Sequence, residues 1–191
     1  MHNVTHDIRN HLRGTLEIFL FRQNAVARFQ PGLGAMLGSF FVLMLAWPFN
    51  FYFNKMAMSV ADQGGSETLE HFLLLSVLEI TAVMAGLYAV CAIEKKPELF
   101  YTSVAIGNWM SISTLVPFTI LAAVYWGKWQ DMALFLSGIF FVAFAAYTML
   151  CSAMVMKSLL RVSWKRGILY TLAILLLVIG LQRGLSALAG F

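Results

Sequence analysis

Between Leu33 and Leu188 the charged residues, except Glu70, Glu79 and Arg183, withdraw into short breaks and leave five apolar stretches, 33–53, 69–93, 99–126, 132–156 and 168–188. Each is long enough to cross about 30 Å of hydrocarbon at about 1.5 Å per helical residue. A backbone crossing a bilayer must satisfy its own polar groups, and a helix does so within a single segment. The pattern therefore predicts an all-α fold, a polytopic transmembrane bundle of five spans over residues 31–191. Composition agrees: 60% of the 191 residues are hydrophobic and 12% are charged, with a mean hydropathy of +0.78. A water-soluble domain carries about a quarter of its residues charged.

Residues 1–30 read differently. Val4, Ile8, Leu12, Leu16 and Phe19 share one arc of a helix, and His6, Asp7, Arg9, Asn10, Arg13 and Glu17 occupy the other. That is an amphipathic helix too charged to span, expected to lie on the cytoplasmic face with its arginines toward the headgroups. A linker then leads to Pro31, expected in the first turn of the next helix. The early arginines are not followed by the short apolar core and cleavage site of a secretory signal.

Lysine and arginine placement sets the orientation. With the amino terminus inside, ten fall on the inner side (Arg9, Arg13, Arg22, Arg28, Lys95, Lys96, Lys157, Arg161, Lys165, Arg166) and three on the outer (Lys55, Lys128, Arg183). That asymmetry predicts a cytoplasmic amino terminus and a periplasmic carboxyl terminus. Short loops and a sole Asn-x-Thr sequon at Asn3, on the inner side, point to a bacterial inner membrane. No basic run reads as a nucleic-acid surface. Cys91 and Cys151 stand apart, without zinc spacing, and no cofactor or metal is expected.

Packing in lipid depends on close backbone approach. Gly34 and Gly38 form a GxxxG on the first span, Ala82 and Gly86 a related pair on the second, and Ser103, Gly107 and Ser111 a series on the third. These are expected at helix contacts, within the chain or with a partner subunit. Pro48 and Pro117 are expected to kink their helices.

Few residues carry chemistry. Glu79 lies inside the second span, and an ionisable group there is a functional candidate. It is expected to face the bundle interior, with Gln182 and Arg183 at similar depth and Arg183 as its cationic partner. Asn108, Ser111 and Thr114 recur every third residue as a polar edge suited to interhelical hydrogen bonds or a narrow cavity. No catalytic motif is present, and no nucleophile stands beside a base.

With a cytoplasmic amino-terminal segment, five closely spaced spans and the small and polar residues around Asn108-Trp109 and Pro117, residues 30–190 resemble the YIP family of small membrane proteins, including its bacterial relatives. The resemblance is one of topology, so no functional residue is carried over. It implies a membrane-organising or partner-binding role without catalysis. The expectation is a non-enzymatic accessory, assembly or scaffold component, in the bilayer with other subunits or as a homo-oligomer. The alternative is a small transporter or channel using Glu79.

Overall fold

A computed structural model describes residues 4–60, 69–114 and 130–189, with side chains for 7–49, 51, 72–112 and 142–184. The described residues are helical apart from short connections, with no strand among them. Its long helices are α1 (Val4–Phe19), α2 (Leu33–Val60), α3 (Leu69–Ile93), α4 (Phe100–Met110), α5 (Gln130–Leu160) and α6 (Trp164–Ala189). Short 3₁₀ turns occupy Gln23–Arg28, Pro97–Leu99 and Ser111–Thr114.

Among the described residues three helices are long and apolar enough to cross a membrane: Phe72–Ile93, Val142–Leu160 and Trp164–Gly184. Leu33–Phe49 is a shorter apolar helix. No more than 28% of any of the three windows is buried inside the protein. So much exposed apolar surface suits lipid and would be a liability in water. α3 matches its expected limits, and α5 extends past 132–156 at both ends. α4 covers only part of 99–126 before tightening into the 3₁₀ turn. Pro117 lies outside the described residues. Pro48 sits within α2, which continues through it.

The helix ends show how the chain turns. α2 begins at Leu33 rather than at Pro31, because Gly32 takes a left-handed φ of 106° and redirects the chain before the first turn. α1, α3 and α5 all end with a residue in the left-handed region: Phe21 (φ 54°), Lys95 (φ 57°) and Arg161 (φ 54°). In each, the next N–H reaches back to a carbonyl five residues earlier: Arg22 to Glu17, Lys96 to Cys91 and Val162 to Lys157. This is the Schellman closure, usually made with glycine.

Two buried clusters hold the described helices together. In one, Met36, Leu87, Val90, Cys91, Val104, Met156 and Leu160 join α2, α3, α4 and α5, with Tyr170 and Ile174 of α6 packed against them. In the other, Ile18, Ala25 and Phe29 from the amino-terminal segment meet Val42, Ile106, Trp109, Cys151, Met154 and Val155. α1 thus rests on the flank of α4 and α5.

The small residues are used selectively. Gly86 stands against α6, where an added Cβ would lie 2.9 Å from Ile174 Cγ1, and Ala82 and Ser103 are buried. Gly34, Gly38 and Gly107 are exposed, and among the described residues nothing lies within 4 Å of where a Cβ would stand. Of the two expected uses, contact within the chain and contact with a partner, the described residues supply no contact of the first kind. α2 turns Met36, Ser39, Val42 and Ala46 inward, and that spacing leaves Gly34 and Gly38 on the opposite side. Among the described glycines the tightest contact falls at Gly167, outside any motif singled out above: a Cβ there would lie 2.6 Å from the Ala153 carbonyl oxygen of α5.

Candidate functional site

A seam of polar side chains runs between the amino-terminal segment and α2 and α4. It begins on α1, whose burial is the reverse of that of a water-soluble amphipathic helix. Ile8, Leu12, Leu16 and Leu20 are exposed, whereas His11, Thr15 and Glu17 are buried along with Ile18. The buried edge is bonded inward. Arg28 donates to both Glu17 oxygens, Nε to Oε2 at 2.6 Å and Nη2 to Oε1 at 2.8 Å, and Arg13 Nε donates to Oε1 at 3.1 Å. This fork-on-carboxylate geometry is directional and strong. Hydrogen bonds from Arg28, the largest influence, hold Glu17 below its ordinary value of 4.5 against the opposing push of burial, and Arg13 adds to the lowering. Glu17 in turn raises Arg28.

His11 sits further along the seam. Its ring stacks on Phe29 (centroids 5.3 Å apart, planes 8° apart) and tilts against Trp109 at 5.3 Å. Its Nε2 accepts the Gln30 backbone N–H at 3.5 Å, and the Gln30 side chain donates to Asp7 at 2.6 Å. An accepting Nε2 calls for neutral imidazole. Burial lowers His11 below 6.5, more than nearby Asp7 raises it.

Asn108 continues the seam into the bundle. Its Nδ2 donates to Ser39 Oγ of α2 at 2.8 Å, and Ser39 donates to the Met36 carbonyl at 2.6 Å. Ser111 Oγ donates to the Asn108 carbonyl at 2.6 Å. Of the polar edge, Asn108 thus bonds to another helix, whereas the Ser111 hydroxyl bonds back within its own chain turn. Thr114 ends the 3₁₀ turn, and its side chain lies outside the described residues. Ser103 donates to the Leu99 carbonyl at 2.9 Å and lies 3.7 Å from Cys91 Sγ.

Glu79 stands apart. It precedes Gly86 by seven residues, which sets it on the α3 face that meets α6, yet its side chain is exposed. Gln182 is half-buried and Arg183 exposed on α6. Among the described residues no ion pair joins Glu79 to Arg183, so the expected buried pair is replaced by two exposed groups. The tight α3–α6 contact lies two turns away, at Gly86 and Ile174.

A second polar cluster closes the end of the bundle where α3, α5 and α6 meet. Tyr170 donates its hydroxyl to Glu94, and Arg166 Nη1 lies 3.5 Å from the same carboxylate. Lys96 Nζ donates to the Leu160 carbonyl, and Lys157 Nζ stands 5.1 Å above the Trp164 ring. Lys95, Arg161 and Lys165 surround these groups and are exposed.

Of these groups, Asn108 and Ser111 were legible as polar positions. Ser39, the partner of Asn108, and the Glu17–Arg28 pair were not, because both contacts join residues far from a fixed helical spacing. Among the described residues no three or more His, Cys, Asp or Glu side chains gather as a metal site. The architecture defines an all-helical protein with helices fit to cross a bilayer. No protein-family model, curated protein or solved structure matches the chain.

Proposed function

We propose that this chain is a non-enzymatic, integral membrane component that acts in assembly or as a scaffold through helix-helix contacts. In this reading five spans cross a bacterial inner membrane, the amino terminus is cytoplasmic and the carboxyl terminus periplasmic. The amino-terminal helix lies at the inner interface as a cytoplasmic handle. The resemblance to the YIP family belongs to the same proposal.

One observation carries it: the Gly34–Gly38 face of α2 is exposed and meets nothing within 4 Å. In lipid, such a face lets a second backbone approach closely. An accessory role is favoured over transport because, among the described residues, no ion pair meets the exposed Glu79.

Gly38→Ile separates association from folding. Among the described residues no atom lies within 4 Å of the new Cβ, and helix propensity improves by about 0.5 kcal/mol. The wild-type chain in mild detergent should elute as an oligomer or with a stoichiometric partner. The variant should elute as a single chain of undiminished melting temperature. A wild-type monomer without partner, or a variant that assembles like wild type, overturns the proposal.

A further inference from the structure

We propose that the end of the bundle formed by α3 and α6 binds the headgroup of an anionic phospholipid, with its acyl chains on the adjoining apolar surface. Four cations, Lys95, Arg161, Lys165 and Arg166, are exposed there. The Arg166–Glu94 contact at 3.5 Å brings the start of α6 to the end of α3, and the Lys96 bond to the Leu160 carbonyl brings Arg161 to the same place. Two carboxylates lie near them: Glu94, mostly buried and occupied by Tyr170 and Arg166, and Glu98, exposed on the Pro97–Leu99 turn. Four exposed cations outnumber the one exposed carboxylate, so the outward charge of the patch is net positive.

Cations alone would fit any anion. What selects a lipid is the surface beside them. Ile93 is 67% exposed and Leu169 61% exposed. They stand next to Glu94 and beside Tyr170, on the membrane side of the cations. An amphiphile with a phosphate at one end and acyl chains at the other matches both halves. A soluble phosphate matches only the first.

Lys95 and Arg161 also make the site testable. Both stand in the left-handed region at a helix end, with φ of 57° and 54°. A non-glycine residue costs about 1 kcal/mol or more there, and glycine relieves it. The same closure stands at Phe21, so it belongs to the helix end and not to the patch, and glycine can replace the two cations without disturbing the turns.

The site rests on the proposed membrane orientation, and the test separates the two. The full chain is reconstituted in nanodiscs of zwitterionic lipid, with and without a fraction of phosphatidylglycerol, and its melting temperature is recorded. The wild type should gain stability with the anionic lipid, as any ligand of the folded state confers. The double variant Lys95→Gly/Arg161→Gly should melt at an equal or higher temperature in zwitterionic lipid, since its strain is relieved. It should lose most of the gain from phosphatidylglycerol. Arg9→Gln/Arg22→Gln removes two cations from the same side and should keep the gain. Inorganic phosphate added to zwitterionic discs should give none.

An undiminished gain in the glycine variant, an equal loss in the Arg9/Arg22 control, or an equal gain from free phosphate each overturns the site. Failure of the wild type to enter nanodiscs overturns the membrane reading instead.

Discussion

Gly167→Ala should loosen the α5–α6 hairpin and lower the melting temperature more than any other single methyl added to a described glycine of a transmembrane helix. The new Cβ would stand 2.6 Å from the Ala153 carbonyl oxygen, with the Lys157 backbone nitrogen at 3.5 Å. Both are backbone atoms of α5, so no rotamer change relieves the overlap. The two helices must separate, although only Arg161, Val162 and Ser163 join them. Overpacking typically costs about 1–3 kcal/mol, and a clash with backbone belongs at the upper end. Gly86→Ala is the internal comparison, because its nearest obstacle is the Ile174 side chain at 2.9 Å. Thermal melts in one detergent should place Gly167→Ala well below Gly86→Ala. Equal melting temperatures would show that α5 and α6 do not approach this closely.

Arg28→Ala should release the amino-terminal segment from the bundle. Glu17 would keep only Arg13, whose side chain is 61% exposed, in place of the two-point contact from Arg28. A carboxylate stripped of its main partner while its side chain is 9% exposed is unfavourable in place, so the helix should leave. The measurement is limited trypsin digestion of the reconstituted chain. Cleavage after Arg9, Arg13 or Arg22 should accelerate strongly in Arg28→Ala. It should return toward the wild-type rate in Arg28→Ala/Glu17→Ala, because the stranded charge is gone. If the double variant is cut as fast as the single, the ion pair is not what holds α1.

The same reasoning gives a pH dependence. Glu17 titrates lower when docked than its ordinary 4.5, so its contribution is complete above 4.5 and is lost as the pH falls below it. His11 also titrates lower when docked than its ordinary 6.5. Above 6.5 it is neutral in both states, and below 6.5 the released segment takes the proton first. Both groups therefore weaken docking on acidification, His11 beginning near pH 6.5 and Glu17 near 4.5. Trypsin is replaced by an acid-tolerant protease for that series.

Much of the scaffold is legible in the sequence. The interval 69–93 is helical from Leu69 to Ile93, because the apolar run is bounded by polar turns and helix is the cheap way to bury a backbone in lipid. Asn108 was legible as a bonding group since amide side chains seldom sit idle in such a helix. Its partner Ser39 was not, because the register between α2 and α4 depends on side-chain fit along their whole contact. The Gly34–Gly38 motif has the same limit: spacing identifies a smooth face but not which neighbour meets it. Gly167 escaped notice as a lone glycine near a helix start. In α1 the periodicity separates an apolar arc from a polar one, yet it cannot say which turns outward. Leu12 and Leu16 face out with Arg9 and Arg13, while His11 and Glu17 face in.

The segment of α5 from Cys151 to Leu160 serves both interior clusters. Cys151, Met154 and Val155 belong with the amino-terminal segment, and Met156 and Leu160 with α3 and α4. One rod thus forms a party wall between two rooms. It cannot roll to accommodate a change on one side without disturbing the other, so a pull on the amino-terminal helix would reach the far side of the bundle as a rotation.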